Sequence, residues 1–360
     1  MRRRRAGNEG RDLVHTGFEQ RGEAQSGPGG ARPVADEPRP SAPGQVMATA
    51  DRICERVESV IEGKREVIRL TLTVLLAEGH LLIEDVPGVG KTMLAKALAK
   101  AIDCSARRIQ FTPDLLPSDV TGVTVFDQQS RQFEFKPGAV FAHLVLGDEI
   151  NRASPKTQSA LLECMAEHQV TVDGVTYPLE TPFMVIATQN PIEMEGTYPL
   201  PEAQRDRFMA RIAMGYPTAA AELRMVDGHS RANPLDDLQP AADTRDVVKM
   251  IEAVRTVHVA EEVKRYVIDL VTATRNSAEL RLGASPRAAL HLIRAARAKA
   301  ALENREFVLP DDVKSLAVPV LAHRIIPTAL ARSGHRSAEQ ILGELLETVA
   351  VGAAADQRRR

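Results

Sequence analysis

Short apolar runs alternate with helical patterns between Ala48 and about Pro217. Five of these runs are apolar on both alternating faces: "HLLI", "RRIQF", "HLVLG", "FMVIA" and "RIAM". Strands with this pattern are typical of a parallel sheet that is buried between two layers of helices. The pattern therefore predicts an α/β core built on a parallel sheet.

Two other segments within this region predict β-hairpins. "VTVFDQQSRQFEF" has a strand-like half on each side of a polar centre. "QVTVDGVTY" places Asp173 and Gly174 between alternating Val and Thr residues, which is a strong signal for a two-residue turn. We expect both hairpins as insertions in the α/β core.

After "GYP" the strand signals end and amphipathic helical patterns begin. Apolar residues fall on two helical faces, one with Val263, Val267, Leu270, Val271 and Thr274, the other with Leu290, Ile293, Ala296 and Ala300. The polar segment "SRANPLDDLQPAADTRD" precedes them as a linker. The pattern predicts a second, all-helical domain.

The composition of the ends differs from that of the middle. Residues 1–47 are rich in Gly, Pro, Ala, Arg and Glu and predict a disordered tail. We therefore divide the chain into this tail, a core over 48–217, a linker and lid over 218–350 and a basic tail over 351–360. A length of 360 residues with 44% hydrophobic content is sufficient for two buried cores.

Charge and cysteine content identify no partner. The net charge of -2 gives no general attraction to nucleic acid or anionic membranes. Cys54, Cys104 and Cys164 lie far apart without CxxC spacing, which favours reduced thiols over disulfides or a zinc site. No apolar run reaches the ~20 residues of a membrane span. Since polar residues follow "MRRRR", we expect a cytoplasmic protein without membrane insertion.

The segment "LLIEDVPGVGKTMLAKALA" indicates a phosphate-binding loop. An apolar strand, a glycine-bearing turn and a helix start allow backbone N–H groups and the helix N-terminus to face phosphates. Lys91 would bridge the β- and γ-phosphate oxygens of a nucleoside triphosphate, and Thr92 would offer its hydroxyl to Mg²⁺. Asp85 replaces the first glycine of the common pattern, at a position that need not touch phosphate. The predicted nucleotide-binding residues are Val86, Pro87, Gly88, Val89, Gly90, Lys91, Thr92 and Met93.

Two carboxylates follow the apolar run in "HLVLGDEINR". Charged groups at the end of a buried strand are costly unless a cation compensates them. We predict that Asp148 holds Mg²⁺ through its water shell and that Glu149 orients or deprotonates the attacking water.

"FMVIATQNP" ends a second buried strand in the polar pair Gln189 and Asn190. If this strand lies beside the strand that carries Asp148, Asn190 can hydrogen-bond the attacking water or the γ-phosphate. A structural capping role for Asn190 is the alternative.

"LPEAQRDRF" places Arg205 and Arg207 at a helix end. An arginine there could reach the nucleotide of an adjacent subunit and stabilise the transition state. We choose Arg207 for this role, with Arg205 as the competitor. A surface salt bridge to Glu202 or Asp206 is the alternative.

"GASPRAALHLIRAA" predicts a further cationic group beside a helix start. Ser285 is a good N-cap and Pro286 a good first residue, so Arg287 falls in the first turn, where the helix dipole disfavours a cation. We assign Arg287 to the γ-phosphate; solvation at the rim is an equally weighted alternative on this motif alone.

From about Ile61 to Ile326 the chain resembles the MoxR family of AAA+ ATPases. The match includes "IQFTPDLLPSDVTG", "DEINRASPKTQSALLECMAEHQVTVDG" and "PFMVIATQNPIEMEGTYPLPEAQRDRF" in addition to the phosphate loop and "GASPRA". The resemblance implies an AAA+ P-loop NTPase fold followed by an α-helical lid. It assigns Walker A to Lys91 and Thr92, Walker B to Asp148 and Glu149, sensor 1 to Asn190, the arginine finger to Arg207 and sensor 2 to Arg287.

The same resemblance carries expectations about function. Members form hexamer-like rings, hydrolyse ATP with Mg²⁺ and remodel a client protein, commonly with a partner that has a von Willebrand factor A domain. A nucleic-acid motor is disfavoured because the first predicted hairpin has one Arg between Asp and Glu and the second has no cation. The full catalytic set disfavours a switch that does not hydrolyse nucleotide.

Overall fold

The computed structural model describes residues 43–190, 197–219, 222–223 and 234–351, all within one compact unit. Its helices are α1 (Pro43–Glu58), α2 (Arg65–Leu76), α3 (Lys91–Ala101), α4 (Pro117–Thr121), α5 (Pro155–Glu167), α6 (Glu202–Arg205), α7 (Pro234–Asp237), α8 (Thr244–Thr256), α9 (Glu261–Asn276), α10 (Pro286–Leu302), α11 (Pro310–Leu321), α12 (Ala329–Ser333) and α13 (Ala338–Thr348). Its strands are β1 (Leu81–Glu84), β2 (Ala106–Gln110), β3 (Gly122–Asp127), β4 (Gln132–Pro137), β5 (Leu144–Asp148), β6 (Gln169–Val172), β7 (Val175–Pro178), β8 (Met184–Gln189), β9 (Ala210–Ile212), β10 (Leu280–Leu282) and β11 (Ile326–Pro327).

A five-stranded parallel sheet forms the centre of the core, in the order β2-β5-β8-β1-β9. These strands are the five that the apolar runs predict, so the α/β prediction is confirmed. The predicted burial is wrong for β2, which lies at the edge of the sheet and buries only Ile109. Alternate residues of β5 enter two apolar clusters: Leu144 and Leu146 pack with α3, whereas Val145 packs with α5. Because helices cover both faces, the strands need apolar residues at consecutive positions.

Both predicted hairpins are present. Strands β3 and β4 pair antiparallel, as do β6 and β7. At the tip of the second hairpin Asp173 and Gly174 both have positive φ, 51° and 79°, as a tight two-residue turn requires. Phe135 of the first hairpin stacks on Tyr177 of the second, with ring centroids 4.0 Å apart. The two hairpins therefore contact each other.

The helical part after the linker follows the predicted pattern with one wrong residue. All five residues of the face predicted around Val263 are buried on α9. On α10, Ala296 and Ala300 are buried, but Leu290 is 63% exposed. The buried stripe of α10 contains mostly alanines, and small side chains allow its neighbours to approach closely. The predicted face of α10 rests on the hydrophobicity of its residues, whereas close packing of this helix depends on small side chains.

The lid and the N-terminal boundary each differ in one detail from the predictions. The lid is not entirely helical, because β10 and β11 form a short antiparallel pair. Helix α1 begins at Pro43, inside the predicted tail, and Val46 is fully buried. The rest of the predicted tail and residues 352–360 lie outside the described residues.

The cysteines are unpaired, as their spacing predicts. All three cysteines are free, and burial raises the pKa of Cys54 to about 11 and that of Cys104 to about 12. Among the described residues, no helix is both long and apolar enough to cross a membrane.

A close backbone approach fixes the segment that precedes α10. A Cβ on Gly283 would lie 2.6 Å from Arg275 Cα, at the end of α9. The next residue is bonded to the same helix end, since Ala284 N donates to Thr274 Oγ1 at 2.9 Å and Arg275 Nε donates to Ala284 O at 2.8 Å. Only glycine fits at position 283 without a backbone shift.

We predict that Gly283→Ala lowers the free energy of unfolding by about 1–3 kcal/mol, because the added methyl group meets backbone atoms. Gly343→Ala in α13 is the matched control: its Cβ would meet no atom within 4 Å, and alanine favours a helix by about 1 kcal/mol. Urea unfolding followed by circular dichroism compares the two. Equal stability of both variants would contradict the close approach.

Candidate nucleotide site

The order of the sheet brings the predicted catalytic motifs to one edge. Strand β8 pairs in parallel with β5 on one side and with β1 on the other. The carboxyl ends of these three strands carry Asp148, Asn190 and the start of the phosphate loop. This confirms the adjacency on which the assignment of Asn190 depends. Ligands of open α/β sheets bind at this edge.

The phosphate loop has the backbone form that phosphate binding requires. Gly88 and Gly90 have φ of 83° and 93°, and a Cβ on either would meet no atom within 4 Å. The loop therefore curls beneath open space, and α3 begins at Lys91 with Gly90 as its N-cap. Successive N–H groups at a helix start fit an anionic phosphate chain.

Asp85 has a definite role at the start of this loop. Its Oδ1 accepts from Val86 N at 2.7 Å, and its Oδ2 accepts from Gly215 N at 2.6 Å. Its carbonyl oxygen accepts from Lys91 Nζ at 2.7 Å. The side chain that replaces glycine thus connects the phosphate loop to the segment after β9. Lys64 Nζ donates a hydrogen bond to the same segment, at Tyr216 O, over 2.9 Å.

The carboxylate of Asp148 is compensated on both oxygens. Thr188 Oγ1 donates to Oδ1 at 2.6 Å, and Arg108 donates to Oδ2 through Nη2 at 2.6 Å and Nε at 3.2 Å. Thr188 lies next to Asp148 because β5 and β8 are in register at Gly147 and Ala187. These bonds hold the carboxylate at the strand end.

Glu149 has a left-handed backbone conformation, with φ of 58°, which is uncommon for a residue other than glycine. Its N–H donates to Thr188 Oγ1 at 2.9 Å. Its Oε2 accepts from Gln110 Nε2 and from Arg152 Nη1, both at 3.0 Å. Strained backbone of this kind clusters at functional sites, where surrounding contacts maintain it.

Four residues around the carboxylates are missing from the sequence predictions: Arg108, Gln110, Arg152 and Thr188. Arg108 and Gln110 alternate on β2, so they lie on one face, and Gln110 is in register with Asp148. Polar residues at i and i+2, on either side of the one buried residue of the strand, are a signal for such contacts. The meaning of this signal depends on the strand that pairs with β2, which the sequence alone does not identify.

The oxygen donors at this edge fit a magnesium nucleotide. Among the described residues, no group of three or more His, Cys, Asp or Glu side chains is arranged to hold a metal ion. Mg²⁺ at nucleotide sites is usually held by one or two protein oxygens together with phosphate oxygens. The hydroxyl of Thr92 and the carboxylate of Asp148 are donors of that kind.

Comparison with known proteins agrees with this geometry. Residues 80–210 match the model of the ATPase family associated with various cellular activities (AAA), and residues 272–345 match the AAA lid domain. Chaperone MoxR1 of Mycobacterium tuberculosis is 39% identical over 90% of this chain and 85% of its own. Protein YeaC of Bacillus subtilis, which is uncharacterized, is 48% identical over 82% of this chain and 93% of its own. The chain belongs to the MoxR family of AAA+ ATPases.

The crystal structure of a similar protein has the same fold as this chain. The structure is that of a candidate ATPase from Cytophaga hutchinsonii, 41% identical, with a TM-score of 0.79. The match covers 86% of this chain and 97% of that one. The AAA+ fold with a following lid is therefore confirmed.

The two candidate arginine fingers of this MoxR-family chain differ in their contacts. Arg207 Nη1 donates to the carbonyl oxygen of Leu162 on α5. Arg205 Nε is buried and has no hydrogen-bond partner among the described residues. Neither contact decides between them, so the choice of Arg207 stays a prediction.

The start of α10 has the predicted cap. Ser285 Oγ accepts from Ala288 N at 3.1 Å, and Pro286 is the first helical residue. The side chain of Arg287 is 46% exposed, with Nη1 4.0 Å from Asp206 Oδ2. An exposed, loosely paired guanidinium keeps the freedom to turn toward an anion. Its assignment to the γ-phosphate stays a prediction.

We predict that Asp85→Ala lowers the free energy of unfolding by about 1–3 kcal/mol, because it leaves the N–H groups of Val86 and Gly215 without their acceptor. Asp85→Asn keeps one side-chain oxygen and should lose less. Urea unfolding of both variants and of the parent measures this order. If Asp85→Ala were as stable as the parent, the bond between the loop and Gly215 would contribute nothing.

Proposed function

We propose that the protein hydrolyses ATP with Mg²⁺ and uses the cycle to remodel a client protein. The observation that carries this proposal is the edge of the sheet, where β8 brings Asn190 between the phosphate loop and the carboxylates of Asp148 and Glu149. Membership in an ATPase family supports the reaction class.

The binding step rests on the phosphate loop. Backbone N–H groups of residues 86–93 would surround the β-phosphate, and Lys91 Nζ would exchange its bond to Asp85 O for phosphate oxygens. Thr92 and Asp148 would hold Mg²⁺, which supplies positive charge to the phosphates when it is bound. The loop connection through Asp85 keeps this cradle in place beside β9.

The chemical step rests on Glu149 and Asn190. Glu149 would accept a proton from the attacking water, and Asn190 would fix that water or the γ-phosphate by a hydrogen bond. Glu149 is held by Gln110 and Arg152, and its backbone is held by Thr188. A carboxylate held by two neighbours, on a backbone held by a third, is suited to orienting a water molecule.

The arginines complete the site in an oligomer. We propose a homo-oligomeric ring, a hexamer by family resemblance, in which Arg207 of one subunit reaches the nucleotide of the next. Arg287 would contact the γ-phosphate in its own subunit. An arginine supplied in trans can stabilise the charge that develops during phosphoryl transfer.

The hairpins favour a protein as the client. On the first hairpin Phe133 is 74% exposed and contacts Phe126, and Lys136 is paired with Glu134 at 2.7 Å. Exposed apolar side chains are typical of protein contacts, whereas a polyphosphate backbone requires unpaired cations. We propose that the client, together with a partner that carries a von Willebrand factor A domain, contacts this surface.

We predict that Glu149→Gln binds ATP but loses turnover by about 100-fold or more, because the general base is removed. Lys91→Ala should instead weaken ATP binding itself. Nucleotide titration and phosphate release separate the two effects, and Glu167→Gln on the exposed end of α5 is the matched control. Parent-like hydrolysis by Glu149→Gln would disprove the assignment of the base.

We predict that Glu149→Gln, loaded with ATP and Mg²⁺, captures a protein partner from native cell extract. The same bait with Phe133→Ser should lose that partner, because an exposed aromatic contact is removed while the nucleotide site is unchanged. Mass spectrometry of both eluates makes the comparison. Recovery of nucleic acid without protein, together with DNA-stimulated hydrolysis by the parent, would support the motor instead.

A further inference from the structure

The segment that carries both candidate fingers is attached to the lid through Asp206. This residue lies between Arg205 and Arg207, directly after α6. Ser285 Oγ, at the N-cap of α10, lies 2.8 Å from Asp206 Oδ1 and 3.0 Å from Oδ2 and donates to this carboxylate. Arg324 Nη1 lies 3.4 Å from Oδ1. Both contacts come from residues that follow the linker.

Arg324 is an unusual cation because its side chain is only 1% exposed. It also donates to the carbonyl oxygen of Phe208 and, at 2.6 Å, to His291 Nδ1. Burial lowers the pKa of Arg324 to about 10, so the guanidinium remains protonated at neutral pH. Burial and the charge of Arg324 lower the pKa of His291 to about 2, so this imidazole is neutral. Asp206 is the anion that compensates this buried charge.

Further bonds fix the same segment at Phe208. His323 Nε2 lies 3.1 Å from Phe208 O and 3.2 Å from Arg324 Nε, next to the bond from Arg324 to Phe208 O. On the other side Arg207 Nη1 reaches Leu162 O, and Met209 N donates to His80 O at 2.8 Å. The segment therefore lies between α5 of the core and the lid, with directional bonds to each.

We propose that Asp206 is a positioning residue that aligns the trans-acting arginine with the lid of its own subunit. Removing one partner of a buried ion pair leaves the other charge uncompensated, which is costly. The segment around Asp206 must therefore follow the lid when the lid moves. Since Ser285 caps the helix that carries Arg287, the lid that contacts one nucleotide also sets the arginine offered to the neighbouring nucleotide. The inference rests on the proposed arginine finger.

The test uses mixed oligomers with a single kind of active interface. Lys91→Ala subunits lack a working phosphate loop but supply a finger, and Arg207→Ala subunits lack the finger but keep the loop. Hydrolysis by this mixture is the reference. Asp206→Asn is then added either to the Lys91→Ala subunit, which supplies the finger, or to the Arg207→Ala subunit, which binds the nucleotide.

We expect Asp206→Asn to reduce hydrolysis about ten-fold when it is on the finger-supplying subunit and by less than about two-fold on the nucleotide-binding subunit. A merely structural role would lower both mixtures equally, and such a result would overturn the proposal. Loss of hydrolysis only when Asp206→Asn is on the nucleotide-binding subunit would indicate that Asp206 positions Arg287 instead of the finger. This result would also overturn the proposal. Parent-like activity in both mixtures would do the same.

A second variant approaches the contact from the lid. Ser285→Asp keeps an N-cap acceptor for Ala288 N but places a like charge beside Asp206. On the finger-supplying subunit it should cause the same loss, and full activity there would overturn the link to the lid. Glu167→Gln, which removes an exposed charge from the end of α5, should match the reference. Thermal unfolding confirms that each variant is folded.

The reference mixture separates this inference from the proposed function. If the parent hydrolyses ATP but the mixture of Lys91→Ala and Arg207→Ala is inactive, the experiment is repeated with Arg205→Ala. If that mixture is inactive too, neither arginine acts across the interface and the proposal is overturned. The hydrolysis of ATP by the parent protein would be unaffected by this result.

Discussion

The insertion of β8 between β1 and β5 is the constraint on which the rest of the site depends. Backbone hydrogen bonds on both edges of β8 fix the ends of β1 and β5 at two inter-strand spacings, about 10 Å apart. The phosphate loop follows β1, and the carboxylates end β5. A gap of this width leaves room for a terminal phosphate and one water, and Asn190 follows the strand in the middle. The proposed chemistry therefore needs this strand order more than any single side chain.

The same arrangement explains how an apolar sheet tolerates charge at its edge. Asp148 and Glu149 share Thr188, and each receives a further donor from β2, Arg108 for the first and Gln110 for the second. Each strand thus contributes apolar residues to the core and polar groups near its end. Compensation by neighbouring strands replaces the water that these carboxylates would lose on burial.

The sequence could predict what local patterns encode. Runs that are apolar on both faces identified the five strands, and the glycines of the phosphate loop and the Ser285 cap follow from backbone conformation alone. The partners of the carboxylates could not be predicted, because Arg108 and Gln110 gain their meaning only from the pairing of β2 with β5. The exposed Leu290 shows the same limit, since alanines on α10 pack closely where hydrophobicity favoured leucine.

The attachment of the lid combines apolar packing, in which Ile212 of the core and Leu316 of the lid share one buried cluster, with polar contacts. A buried ion pair such as Asp206 with Arg324 gains little free energy over a hydrophobic pair of the same volume. What it adds is direction, because each hydrogen bond at Asp206 and Phe208 requires a particular orientation of donor and acceptor. Apolar surfaces can slide against each other at small cost, whereas this cluster cannot. The segment between Arg205 and Phe208 is therefore oriented by the lid as well as held by it, which is what a charge that must reach a neighbouring nucleotide requires.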